Sequence, residues 1–351
     1  MSLPLVGPEN ARTCPMTRAW RARRLAAAAA YGGGGLTVLG AFVYGVLIGE
    51  AKLAERTIGE RYAAPPDADG TYGTGRPDPL GFIVLGDSLA CGLGVADPAE
   101  TPAALVATGV SAVAERPVHL TNRAVSGAES RDLRDQCDKA LADAPGAELA
   151  LILIGANDVT HRIKPAVSVR HLDRTVRRLR AAGAEVVVGT CPDLGTIEPI
   201  AQPLRWLARR WSRQLAAAQT IAVVEAGART VALADLLGRA FAGSPKEMFG
   251  PDRFHPSARG YADAAAAVLP SACAALGLWP EAETLPDVRR GESVLPVYLA
   301  AAEAVEEPGT EVAGTEVAGR ERGPRGRWTT LMRRPRGVAP GAPDAEPAGG
   351  R

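Results

Sequence analysis

The chain has 351 residues, 46% of them hydrophobic, enough for one sizeable core with appendages. A formal net charge of +1 argues against nucleic acid or another bulk polyanion as partner. The five cysteines, at 14, 91, 137, 191 and 273, show neither C-x-x-C pairs nor Cys/His spacing suited to zinc, so neither a metal nor another cofactor is implied. If the protein is exported, the last four cysteines allow three disulfide connectivities, and nothing in the sequence chooses among them.

Residues 1–24 are a basic, Pro-containing N-terminus, and Met16 reads as a second translation start. Residues 25–49 hold no charge, and about 25 helical residues at about 1.5 Å each would span a hydrocarbon core of about 30 Å. Arg18, Arg21, Arg23 and Arg24 precede this stretch, while charges of both signs follow it. The asymmetry predicts a membrane anchor with a cytoplasmic N-terminus and everything later outside. The competing reading is a cleaved signal peptide, for which Leu36–Ile48 is a suitable apolar core. Residues 50–79, rich in Pro, Asp and Gly, read as a linker.

Apolar runs at Gly81–Leu85, Val118–Ala124, Leu149–Ile154, Glu185–Val188 and Arg229–Ala234 alternate with amphipathic stretches. That alternation predicts an α/β domain over residues 80–280, with five parallel strands covered on both faces. After Pro203, Leu204, Trp206, Leu207, Trp211 and Leu215 recur at helical spacing, which predicts core packing with a basic outer face. A last helix is expected at Pro256–Leu276. Residues 281–351, rich in Pro, Gly, Glu and Arg, read as a disordered tail.

The carboxyl ends of parallel strands share one edge of a sheet, where ligands bind. Strand one ends in Gly86-Asp87-Ser88-Leu89 and strand two leads to Ser126-Gly127. Strand three ends in Gly155-Ala156-Asn157-Asp158, and the loop after strand five carries Asp252-Arg253-Phe254-His255. On that edge Ser88 would be the nucleophile, His255 its base and Asp252 the group that orients His255. The Ser88 amide, the Gly127 amide and the Asn157 side chain would donate to an oxyanion. His161 is a rival base without an orienting Asp, Asp158 is a loop brace, and Cys91 is a buried small residue.

Those four blocks, in that order, resemble the SGNH or GDSL hydrolases over roughly Leu80–Leu276. The resemblance implies a flavodoxin-like three-layer α/β/α fold with a five-stranded parallel sheet. It also implies serine esterase activity, with Ser88, Gly127, Asn157, Asp252 and His255 in the family's site positions. By position, Pro192, Leu194, Met248 and Phe249 should line the acyl pocket. The reading is an esterase acting on lipid or short-acyl carboxylic esters, with O-deacetylation of cell-envelope glycans as the alternative. A reading of another class is an inactive SGNH domain that binds an acylated ligand.

Overall fold

In a computed structural model, the strand β2 (Leu80–Gly86) is an interior strand of the sheet, and Phe82, Ile83, Val84 and Leu85 expose no surface. The structure describes residues 64–278, helical positions 45–46 and 49–50, and strand residues 311–312, 316–317 and 320–321. Burying each large apolar side chain contributes about 1.5–3 kcal/mol, so β2 is a strong nucleus for a two-faced core. The parallel strands β3 (Val118–Asn122), β4 (Leu149–Leu153), β5 (Glu185–Gly189) and β6 (Arg229–Val231) stand in the order β3-β2-β4-β5-β6. This is the doubly wound order in which the chain reverses direction across the sheet beside β2, opening a crevice at the strand ends.

The expectation of five wholly parallel strands needs correction. Gly70–Tyr72, assigned to a linker, forms β1 and pairs antiparallel with β3, covering the hydrogen-bonding edge that β3 would otherwise expose. At the far side β7 (Glu311–Val312) pairs in parallel with β6, and β8 (Glu316–Val317) pairs with β9 (Arg320–Glu321). Apart from these short strands the expected tail lies outside the described residues. So do the basic N-terminus and, save positions 45–46 and 49, the expected anchor. Among the described residues no helix is long and apolar enough to cross a membrane.

Helices cover both faces. On one side α3 (Leu133–Asp143), α5 (Pro165–Ala181) and α6 (Leu204–Glu225) pack Leu133, Leu172, Val176, Leu179 and Val223 against Ile83, Leu85, Ile152, Val186 and Val188. On the other lie α2 (Pro102–Ala114), α7 (Leu233–Gly243) and α9 (Ala258–Ala275), with Val106, Val110, Tyr261 and Val268 buried. The short helices α1 (Ser88–Cys91), α4 (Ala156–Thr160) and α8 (Pro245–Met248) sit in the loops.

The apolar stripe expected on α6 is displaced. Its buried residues are Ala208, Ser212, Leu215, Gln219 and Val223, whereas Trp206 is 55% exposed and Leu204, Leu207 and Trp211 are half-buried. Arg209 and Arg213 on this helix bridge to Asp193, buried in the loop after β5, at 3.3 and 3.1 Å, so the basic side of the helix lies against that loop. Cys91, Cys137, Cys191 and Cys273 are all buried free thiols, so none of the three connectivities forms.

Candidate active site

The site begins with the bend that takes the chain off β2. Gly86 has φ 144°, and a Cβ there would stand 1.9 Å from the Leu153 carbonyl oxygen, so only glycine fits against β4. Asp87 then caps α1 by accepting the Leu89 amide at 3.0 Å, and its own amide donates to Leu153 O. Capping thus falls to Asp87, which leaves the Ser88 hydroxyl for another partner.

That partner comes from the loop before α9. Asp252 Oδ1 accepts the Phe254 amide at 3.1 Å, and Oδ2 accepts the His255 amide at 3.0 Å; the turn passes through Arg253 at φ 58°. The same carboxylate meets His255 Nδ1 at 2.8 Å, and His255 Nε2 lies 3.0 Å from Ser88 Oγ. Burial alone would raise the Asp252 pKa. The hydrogen bonds from the His255 ring and from the Phe254 and His255 amides outweigh it and hold the carboxyl below its ordinary value. Asp252 therefore stays an acceptor, and Nδ1 carries the proton, which leaves the Nε2 lone pair facing Ser88 in the neutral ring. Ser88, His255 and Asp252 are brought together in hydrogen-bonded order.

Gly127 lies in an exposed turn at φ 81°. The Val125 amide donates to Gly86 O at 3.1 Å, which ties this turn to the end of β2. Asn157 Nδ2 donates to Ala128 O at 2.9 Å, leaving its second N–H for another acceptor. The Ser88 and Gly127 amides have no acceptor among the described residues. Asp158 is a brace, as its position suggested. Buried to 1%, it accepts Ser130 Oγ at 2.9 Å and Ser168 Oγ at 2.7 Å. Burial is the chief reason its pKa is raised.

His161 differs from expectation. It has a carboxylate partner after all, Glu129, at 2.7 Å from Nδ1. The sequence offered no Asp nearby because the partner is a Glu on the preceding loop. Cys91 is inert, its thiol pushed up to about 12 by burial and then by the negative charge of Asp87.

Beside Ser88 and His255 opens a cleft of about 780 Å³, measured out to its mouth. Pro192, Leu194 and Phe249 line it, together with Ile154, Leu237 and Phe241. Met248 does not: it is 3% exposed, and its carbonyl accepts the Ser257 amide at 2.9 Å. Phe249 and Phe241 meet edge to face with centroids 4.9 Å apart, a wall that joins two elements distant from β5.

Three buried polar residues that support this edge were missed. Gln136 of α3 accepts the Gly86 amide and donates to the Gly86 carbonyl, both at 2.9 Å. Gln219 of α6 accepts the Cys191 amide at 2.7 Å and donates to Ile154 O at 2.9 Å, clamping the ends of β4 and β5. Tyr261 of α9 donates to Leu93 O at 2.7 Å, tying the His255 side of the site to the Ser88 side. Each satisfies backbone groups that would be buried without partners where the strands splay. The available signal was a lone Gln on an otherwise apolar helical stripe, as in Leu133-Gln136-Cys137-Ala140.

Residues 84–262 match the profile of the GDSL-like lipase/acylhydrolase family. A GDSL-like esterase of Mycobacterium tuberculosis is 41% identical over 251 residues, covering 69% of this chain and 79% of that protein. Two solved structures are similar at lower identity. The psychrotrophic esterase EstA from Pseudoalteromonas sp. is 20% identical, covering 52% of this chain and 90% of its own, with a TM-score of 0.40. An acetylxylan esterase from Geobacillus stearothermophilus is 19% identical, covering 53% and 90%, with a TM-score of 0.41.

Proposed function

Because the chain belongs to the GDSL-like lipase/acylhydrolase family and is an ester hydrolase of that kind, we propose that it cleaves carboxylic esters through an acyl-enzyme at Ser88. The observation that carries this reading is the run from Ser88 Oγ to His255 Nε2 at 3.0 Å and from His255 Nδ1 to Asp252 at 2.8 Å, at the mouth of an apolar cleft.

In this mechanism His255 Nε2 takes the Ser88 hydroxyl proton as Oγ attacks the acyl carbon. Asp252 holds Nδ1–H and stabilises the imidazolium that forms. The negative charge that develops on the carbonyl oxygen is met by the Ser88 amide, the Gly127 amide and the second N–H of Asn157. His255 then returns its proton to the leaving alcohol oxygen. In the second half a water gives its proton to His255 and attacks the acyl carbon, and Ser88 Oγ leaves with that proton.

The acyl chain belongs in the cleft, where Ile154, Leu194, Leu237, Phe241 and Phe249 offer an apolar lining. An acetyl group would touch few of these apolar side chains, which favours esters of longer acyl chains over glycan O-acetyl groups. Gly238 of α7 lines the cleft, and a Cβ there would meet nothing closer than 4.0 Å, so a larger side chain at this position can be accommodated by filling the cleft. Gly238→Leu should therefore shift preference among p-nitrophenyl esters towards shorter chains. An unchanged chain-length profile would remove the acyl chain from this cleft. A fluorophosphonate should label the wild-type chain and not Ser88→Ala; labelling that survives would overturn the nucleophile, and no labelling of either would favour an inactive ligand-binding domain. Residues 25–49 would hold such an enzyme at a membrane with the hydrolase portion outside, and proteolysis of intact cells reads this directly.

A further inference from the structure

The acyl cleft draws its lining from the β2, β4 and β5 ends, α7, α9 and the His255 loop, and takes no residue from 122–131 or 157–163. Those two segments, which carry Gly127 and Asn157, form a separate rim that is polar and open: Val125, Ser126 and Gly127 are exposed, and the His161 side chain is 57% exposed. An ester has two halves. With the acyl half in the cleft, the alcohol half departs over this rim.

The rim is a built surface. Asn157 bonds to Ala128, Asp158 to Ser130, and His161 to Glu129, so that three residues of one loop are held by three neighbouring residues of the other. Glu129 is buried, with its side chain only 8% exposed; one oxygen meets His161 Nδ1 at 2.7 Å and the other meets Arg131 Nε at 2.9 Å. An ionised carboxylate only accepts, so Nδ1 of His161 bears the proton and Nε2 of the neutral ring is left as an acceptor. Nε2 has no partner among the described residues, and the ring lies one helical turn beyond Asn157, its amide donating to Asn157 O at 2.9 Å. In the neutral ring such an exposed acceptor suits a hydroxyl donor, which a simple alkoxy group lacks.

We propose that His161, fixed by Glu129, forms a subsite for the alcohol half of the substrate, and that this half is a hydroxyl-bearing polyol of the sugar or glycerol class. The inference rests on the ester-hydrolase mechanism proposed above and adds the chemistry of its leaving group.

The test compares kcat/KM of the purified full-length chain for three esters of one acid: ethyl butyrate, glyceryl monobutyrate and 6-O-butyrylglucose. Loss of a neutral hydrogen bond reduces selectivity about 3- to 10-fold. His161→Phe should lower the polyol-to-ethyl ratio by that factor, and His161→Gln, whose amide oxygen still accepts, should recover part of it. A fall confined to the glucosyl ester identifies a sugar, and one confined to the glyceryl ester identifies glycerol. An unchanged ratio in a His161→Phe variant that melts like the wild type would make the ring a loop brace and overturn the proposal. If that variant fails to fold, the wild type decides: preference for ethyl butyrate over both polyol esters overturns it, and preference for a polyol ester supports it. Absence of turnover on all three esters by the wild type would instead sink the parent mechanism.

Discussion

Two histidines stand at the carboxyl edge of this sheet, each with a carboxylate on Nδ1, and they differ in how the pair is made. His255 and Asp252 are three residues apart in one tight turn, and the Asp252 side chain is almost wholly buried, at 1% exposure, and the His255 side chain nearly so, at 12%. His161 and Glu129 are 32 residues apart on two loops, with the carboxylate buried and the ring 57% exposed. Only His255 has a hydroxyl on its other nitrogen, at 3.0 Å. A histidine–carboxylate pair is thus not sufficient for base catalysis. What distinguishes the catalytic candidate is a nucleophile within reach and a shell that excludes water, which strengthens every charge interaction inside it.

The sharpest way to break the comparison is to remove each ring. His255→Ala should lower kcat by about 10⁴-fold or more, as loss of a triad base does. If His161→Ala matched that loss on p-nitrophenyl esters, the two roles would have to be exchanged. Next comes the carboxylate: Asp252→Asn should cost about 10³- to 10⁴-fold in kcat by releasing the His255 tautomer, while Glu129→Gln should leave single-turnover acylation far closer to wild type. Asn157→Ala falls between the two pairs. It should lower kcat about 10²- to 10³-fold with KM little changed, because the donor meets charge that exists only in the transition state. A rise in KM at constant kcat would make Asn157 a substrate-positioning residue.

The carboxyls around His255 also differ from each other. Asp252 is held below its ordinary pKa, so its contribution to stability is present at neutral pH and lost as pH falls through its folded value. Asp87 is raised from 3.8 to about 6, chiefly by burial, against the opposing Leu89 and Gly155 amides. Its folded state keeps a proton that the unfolded chain releases between those values, so ionising it costs stability as pH rises through that window. Two units correspond to about 3 kcal/mol. Asp87→Asn should therefore gain stability relative to wild type between pH 4 and pH 7 by about that amount, read from urea unfolding at each pH. A difference that stays flat with pH would show that Asp87 is already neutral or is better paired. The smallest effect expected is the several-fold change in leaving-group selectivity at His161.

Much of this molecule is written locally in its residues. The five parallel strands were legible because each is a short apolar run bounded by turn residues, and the order of Gly86-Asp87-Ser88-Leu89, Gly127, Asn157 and Asp252-Arg253-Phe254-His255 along the chain placed all of them on one edge. The Asp252–His255 pair needs only a single turn to form, so its spacing in the sequence is already its geometry. What lay beyond the sequence depends on contacts between distant segments. β1 pairs with the edge that β3 leaves, Met248 is buried next to the bridge between Phe249 and Pro256 and does not line the cleft, and Gln136 and Gln219 reach across from helices to strand ends. Glu129 meets His161 only once two loops are stacked by Asp158 and Asn157. Period and turn chemistry are set by neighbours along the chain, whereas partners across the sheet are chosen by packing, which satisfies whichever buried polar group happens to face them.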